Sequence, residues 1–251
     1  MSEPLYDPVA KTMRLSKEED VRHHPYQRPR DSATLILIDR SGAAPKVLFG
    51  KRHAGHKFMP GKYVFPGGRI EAGDRKMTVA GALTEVVDDK LRLMVSRPSS
   101  TLGRALALAA IRETFEETGL LIGTKEFGAP DSAPEGPWSD FIARGVFPSL
   151  EGMQFVARAI TPPGRSKRFD ARFFAVDASA IADRVEGVVG PDTELTDLVW
   201  MTLKDAVTLD LPTITRIILQ ELENRIEAGF SERLPAPFYF EKHRKRLRVE
   251  L

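Results

Sequence analysis

The chain of 251 residues contains no cysteine. A disulfide framework, a thiolate metal centre and a cysteine nucleophile are therefore excluded, and a reducing, cytoplasmic setting fits. It also lacks any apolar run near the roughly 20 residues that cross a membrane. A strong charge of one sign is missing too: 37 basic residues face 35 acidic ones, a net +2. Bulk binding to nucleic acid usually needs a larger basic excess. The first 30 residues are polar and proline-dotted, without the hydrophobic region of a secretory signal. They are expected to form an arm on the domain or on the partner subunit of a homodimer. The closing Val249-Glu250-Leu251 is not a peroxisomal address. No internal repeat is visible. The chain does carry 42% apolar residues, enough core for one large domain or two small ones.

One segment stands out. "AIRETFEETGLLIG", from Ala110 to Gly123, packs Glu113, Glu116 and Glu117 into five residues beside Arg112. At about 100° per residue the three glutamates share one arc of a helix, while Leu108, Ile111 and Phe115 share the opposite side. The spacing predicts an amphipathic helix with an apolar stripe and a carboxylate face. Gly119 is a suitable stop, because it tolerates the left-handed conformation that ends helices. A solvated face is the ordinary fate of a charge run. Two features oppose it here. Glu113 and Glu117 are like charges at i,i+4, which repel, and Arg112 alone stands at i,i+4 to Glu116 as a counter-charge. Clustered carboxylates instead suit a hard divalent cation, which prefers oxygen ligands.

Upstream lies "YVFPGGRIEAGDRK", in which Pro66, Gly67, Gly68 and Gly73 mark a tight loop after an apolar strand. Gly68, five residues, Asp74, and later Arg112-Glu113, Glu116-Glu117 and Gly119 together resemble the Nudix box, G-x5-E-x7-R-E-U-x-E-E-x-G-U, with U aliphatic. The resemblance covers Gly68 to Leu120 and is most specific at its helical end. Three departures are visible. Asp74 replaces the first glutamate, and Thr114 stands at the first U. The third is that 37 residues, rather than seven, separate Asp74 from Arg112. Such an insertion, over residues 75–104, is expected to be a helical excursion beside the common core, since loop closure costs rise slowly with length.

The resemblance implies an α/β fold with a mixed sheet sandwiched between helices, over a domain spanning residues 31–251. It also implies a metal-dependent hydrolase that cleaves a pyrophosphate linkage in a small-molecule nucleoside diphosphate derivative. Carried over by position, Glu113, Glu116, Glu117 and the Gly68 backbone would hold Mg²⁺ or Mn²⁺. Arg112 would orient a carboxylate. The base would be Glu113 or a later loop residue, Glu194 in "GPDTELTDLVW". "KRHAGHKFMPGKYVFPGG" and "TPPGRSKRFDARFF" are similar to segments of the coenzyme A diphosphatase branch with a long box insertion. This implies CoA or acyl-CoA as substrate; ADP-ribose or a dinucleotide is the alternative, and a Nudix module that binds without cutting is another. Arg52, Arg69, Arg165, Lys167 and Arg168 are candidate phosphate contacts. His53 and His56 are three apart, a poor match to hard-cation carboxylates. Trp200 and Phe65 are expected in the core.

Elsewhere, "ATLILID", "KVLFGKR", "KYVF", "LLIG", "QFVARAI", "RFFAVDA" and "LVWMTL" predict strands. A short helix is expected near Phe141. "PTITRIILQELENRIEAG" predicts a long helix that starts near Pro212 and stops at Gly229. The tail "EKHRKRLRVEL" is expected to be a solvated helix end.

Overall fold

The computed structural model describes residues 24–55 and 59–251. His56 and most of the N-terminal arm lie outside the described residues. The arm's last residues lie on the domain: His24 N–H donates to the Gly164 carbonyl at 3.2 Å, and the Gln27 amide donates to that of Ser166 at 3.2 Å.

Among the described residues, twelve strands form two sheets. The larger has the order β10-β2-β1-β8-β7-β11-β12, with β3 on β2 and β4 on β1. Its strands are β1 (Arg30–Asp39), β2 (Lys46–Arg52), β3 (Tyr63–Val64), β4 (Gly67–Arg69), β7 (Gln154–Ile160), β8 (Phe169–Asp177), β10 (Leu195–Thr202), β11 (Pro237–Lys242) and β12 (Lys245–Glu250). The smaller sheet joins β6 (Phe147–Pro148), β5 (Leu120–Thr124) and β9 (Ile181–Arg184). β1 runs parallel to β8, and β7 parallel to β11, while their other pairings are antiparallel. The sheet is mixed, as the sequence implied.

The central strand shows why helices lie on both sides. Along β1, Ala33, Leu35 and Leu37 enter one apolar core, and Ile36 and Ile38 enter another. Alternate residues point to opposite faces of a strand, so an unbroken apolar run must be covered twice. The first core receives α1 (Glu85–Arg92) and α2 (Leu102–Thr118), the second α5 (Thr213–Glu227). Two shorter helices are α3 (Trp138–Ala143) and α4 (Leu203–Ala206).

Several expectations change. The acidic helix is not half solvated: α2 is buried almost all round, and Arg112 and Glu117 are only 3% and 6% exposed. The small sheet and the first core enclose faces that a helical wheel leaves open. The insertion is not a separate excursion either. Met77, Val87 and Leu91 are buried in the first core, and the residues from Leu102 onward form the start of α2. Before Leu102 only Glu85–Arg92 of it is α-helical, started by the Thr84 hydroxyl, which accepts from Val87 N–H. The tail is a hairpin, not a helix end. β11 and β12 pair throughout and turn at His243-Arg244, both at positive φ, while polar and apolar residues alternate along Arg246 to Glu250. Trp200 lies on the edge strand β10 at 36% exposure rather than in the core. Phe65 is buried, stacked on Phe49 at 5.0 Å.

Candidate active site

The glycine segment is a strand rather than a loop. Ala33 of β1 pairs with Gly68 of β4, and Thr34 with Gly67. Neither glycine has positive φ; both serve close approach instead. A Cβ on Gly67 would lie 2.6 Å from the Ala33 carbonyl oxygen. A Cβ on Gly68 would fall on the Glu113 carboxylate. Thus β4 lies directly against the acidic side of α2. Gly67 N–H also donates to Glu117 Oε2 at 3.3 Å.

Arg112 joins the two halves of the box. Its Nε donates to Asp74 Oδ1 at 2.8 Å and its Nη2 donates to the Arg69 carbonyl at 2.7 Å. Nη1 pairs with Glu116 and, at 3.0 Å, with Glu113. Asp74 has no exposed surface and also accepts from Glu71 N–H at 2.7 Å. A buried guanidinium needs several acceptors, and here three carboxylates and a carbonyl surround it within 3 Å or less. Despite burial, these partners hold the guanidinium firmly protonated. The insertion therefore leaves the box in register, closed by a pair 38 residues apart in sequence.

The glutamates differ in their surroundings. Burial pushes Glu113 up to about 7; Arg112 opposes the shift, and Glu116 and Glu194 reinforce it. Burial also raises Glu117 well above the ordinary carboxylate range, with repulsion from Glu194 and Glu113 adding to it. Burial also raises Glu116, against the pull of Arg112. Glu194, just before β10, thus comes close enough for its charge to act on both Glu113 and Glu117. Its carboxylate accepts from Arg52 Nη2 at 2.8 Å.

These residues fit a divalent cation. The donors are hard oxygens, and their mutual repulsion and burial leave a deficit of positive charge. The missing side chain at Gly68 leaves Glu113 room against the backbone. Among the described residues no three acidic or histidine side chains are already gathered as a ligand set. Glu116 and Glu113 are instead turned to Arg112.

A cleft of about 330 Å³ opens beside this cluster. It starts at Gly67 and Gly68 and runs over the second core, between the sheet and the start of α5. Its walls are mostly apolar, including Phe65, Phe169, Phe173 and Ile214, with Arg52 and Arg165 among the lining residues. Arg52 is thus brought to the site. Arg69 is not engaged through its exposed side chain; its carbonyl serves Arg112. Arg168 does not line the cleft. It is buried, donates to the carbonyls of Thr161 and Gln27, and lies 5.1 Å over the Tyr26 ring. Tyr239, Glu241 and Arg246 of the C-terminal hairpin also line the cleft and were missed in sequence. The period-two alternation of Arg246 to Glu250 was the available signal.

Comparison with known proteins agrees with this geometry. No family model matches the chain. The acyl-coenzyme A diphosphatase NUDT19 of Xenopus laevis is 24% identical over 245 residues, covering 79% of this chain and 63% of that protein. The chain thus spans less than two thirds of that relative's length. A solved NUDIX hydrolase from Alicyclobacillus acidocaldarius matches with a TM-score of 0.58 at 27% identity, covering 77% of this chain and 90% of the other. The chain is thus similar to Nudix hydrolases in sequence and in fold. No described helix is long and apolar enough to cross a membrane.

Proposed function

We propose that the chain hydrolyses the pyrophosphate linkage of a small nucleoside diphosphate derivative, with CoA or acyl-CoA as the favoured substrate. One observation carries this reading: mutually repelling carboxylates, from the buried Glu117 to the more exposed Glu116, stand at one end of a largely apolar cleft. Glu113, Glu116, Glu117 and the Gly68 backbone are the groups that would hold Mg²⁺ or Mn²⁺. Bound there, the ion would neutralise the diphosphate and acidify water.

The remaining work falls to the protein. Arg112 keeps Glu113 and Glu116 in place and ties α2 to Asp74 and β4. Gly67 N–H orients Glu117. Glu194 removes a proton from the attacking water, held by Arg52, whose guanidinium also faces the diphosphate. The apolar walls exclude bulk water and accommodate the non-reacting arm of the substrate.

The CoA preference draws on the NUDT19 relative and on the cleft's length and apolar walls. A Mg²⁺-dependent screen of CoA, acetyl-CoA, ADP-ribose, NADH and nucleoside triphosphates tests it. Release of 3′,5′-ADP and a phosphopantetheine from the CoA compounds is expected. Exclusive turnover of ADP-ribose or NADH would overturn the CoA preference. Tight nucleotide binding with no turnover of any compound would overturn hydrolysis and indicate a binding module.

A further inference from the structure

The cleft extends well past what a diphosphate needs. Its floor crosses the sheet. Ser32 of β1, Ala171 of β8, Ala159 of β7 and Tyr239 of β11 fall in one register row, and all line the cavity. From β4 to β11 there are four strand spacings, about 19 Å. At the far end stands the C-terminal hairpin. Alternate residues of a strand share a face, and directly paired antiparallel residues do so as well. Tyr239 and Glu241 therefore present to the cleft on the same face as Arg246, which pairs with Glu241. The far end thus offers a guanidinium donor and a carboxylate acceptor side by side, beyond an apolar middle.

This wall is braced. The Tyr239 hydroxyl donates to Glu221 of α5 and accepts from Arg248 Nε at 3.1 Å. The segment that enters β11 is fixed by the box insertion. Lys90 Nζ donates to the carbonyls of Glu232 at 2.7 Å and Leu234 at 2.6 Å. The Thr84 hydroxyl donates to the Glu232 carboxylate at 2.8 Å. Arg225 donates to the carbonyls of Ser231 and Pro235, each at 2.8 Å. A second strut runs through Arg158. It donates to the Leu93 carbonyl at 3.1 Å, forks onto Asp170, and lies 4.2 Å over the ring of Phe238 in β11. The contacts of Lys90, Thr84 and Leu93 join the insertion to the hairpin or to its entry, so the insertion, whose last residues begin α2, is also tied to the far wall.

We propose that the hairpin is a specificity wall, in which Glu241 and Arg246 together recognise a neutral polar group of the substrate remote from the diphosphate. Lys90 in the box insertion is the positioning residue that holds this wall. A group with an adjacent acceptor and donor matches the pair: its carbonyl or ring nitrogen faces Arg246 and its N–H faces Glu241. An amide of a pantetheine-type arm and the edge of a purine both have this chemistry. The inference rests on the hydrolase reading for its substrate class, but binding tests it separately.

Equilibrium binding of CoA, ADP-ribose and 4′-phosphopantetheine is measured without added metal on the full chain. The variants are Arg246→Ala, Glu241→Gln, Lys90→Met and Lys90→Arg. CoA affinity is expected to fall about tenfold in Arg246→Ala and several-fold in Glu241→Gln, the size of one lost charge-assisted contact. A parallel loss for 4′-phosphopantetheine alone assigns the amide arm; a loss for ADP-ribose alone assigns the base. Lys90→Met should weaken the same ligand and raise its KM while kcat stays within about twofold, and Lys90→Arg should recover most of the affinity. Circular dichroism and thermal melts identify any variant that is merely unfolded, for which the milder Glu241→Gln then decides. Unchanged CoA affinity in folded Arg246→Ala and Glu241→Gln would overturn the wall. Loss in Lys90→Met without recovery by Lys90→Arg would overturn the brace. If CoA binds with this dependence but is not cleaved, the hydrolase reading fails and the wall stands. If CoA is cleaved without it, the reverse holds, and a wild-type chain that binds none of the three ligands overturns both.

Discussion

The two ends of the cleft are built by opposite means. At the Gly68 end, charges are forced together. Arg112 is almost fully buried, Asp74 is wholly so, and Glu113 and Glu117 are pushed upward by burial and by neighbouring carboxylates. At the hairpin end the charged residues are half buried, and the wall rests on hydrogen bonds from α1 and α5 to main-chain carbonyls. Burying charge with little slack fixes positions to fractions of an ångström and leaves a strong demand for a cation. A wall held by carbonyl contacts can differ in sequence and still stand. The contrast teaches a division of labour: changes at the first end should act on turnover and folding, and changes at the second on affinity.

The sharpest way to break that division is at the acidic end. Glu117→Gln and Glu116→Gln should each lower kcat by about two orders of magnitude or more, with melting temperature preserved, because a neutral amide holds Mg²⁺ far less well. Steady-state kinetics at saturating substrate and limiting metal check this; full activity in either variant removes the metal assignment.

Glu194 should come next. Glu194→Gln is expected to lower kcat about a hundredfold, the usual scale for a general base, with KM and the metal concentration for half-activation little changed. A near wild-type kcat would move the proton transfer to α2.

A third comparison concerns folding. Arg112→Met leaves Asp74 buried without its partner and should destabilise the chain by about 3–5 kcal/mol. Leu91→Ala, in the insertion, should cost about 2–5 kcal/mol, since it empties a site in the first core. Urea unfolding distinguishes the cases. A Leu91→Ala variant with unchanged stability would return the insertion to the status of a detachable flap.

The smallest effect is expected far from both ends. Asp183 is held down to about 2 by Lys125, first through a hydrogen bond, with further bonds from Arg184 N–H and Arg144. Its native value is below its unfolded one, so its contribution is complete above the ordinary carboxylate range and fades as pH falls towards 2. Asp183→Asn should thus lower stability at pH 7 by under about 1 kcal/mol, because the pair is partly exposed, and by nothing measurable near pH 2. Thermal melts against pH would show the difference closing on acidification.

Much of this protein was determined by sequence alone. The box residues and their spacing, the bounds of β2 and β7, the stop at Gly119 and the span of α5 follow from periodicity, capping and turn chemistry, all of which act within a few residues. Other features were not legible there. The tail is a hairpin because β7 offers an edge for β11, and a run of lysine and arginine does not announce that edge. Gly67 and Gly68 form a strand because β1 lies open beside them. Asp74 meets Arg112 across 38 residues, and Glu194 reaches Glu113 and Glu117 from the loop before β10. The insertion lies in the core because Val87 and Leu91 find apolar surface there. Local sequence sets which conformations a segment prefers; which surfaces bury one another depends on strand register and on how two faces of one sheet are covered. Only the tertiary structure decided those contacts, because burial and charge pairing act on whatever the folded chain brings within a few ångströms, however distant in sequence.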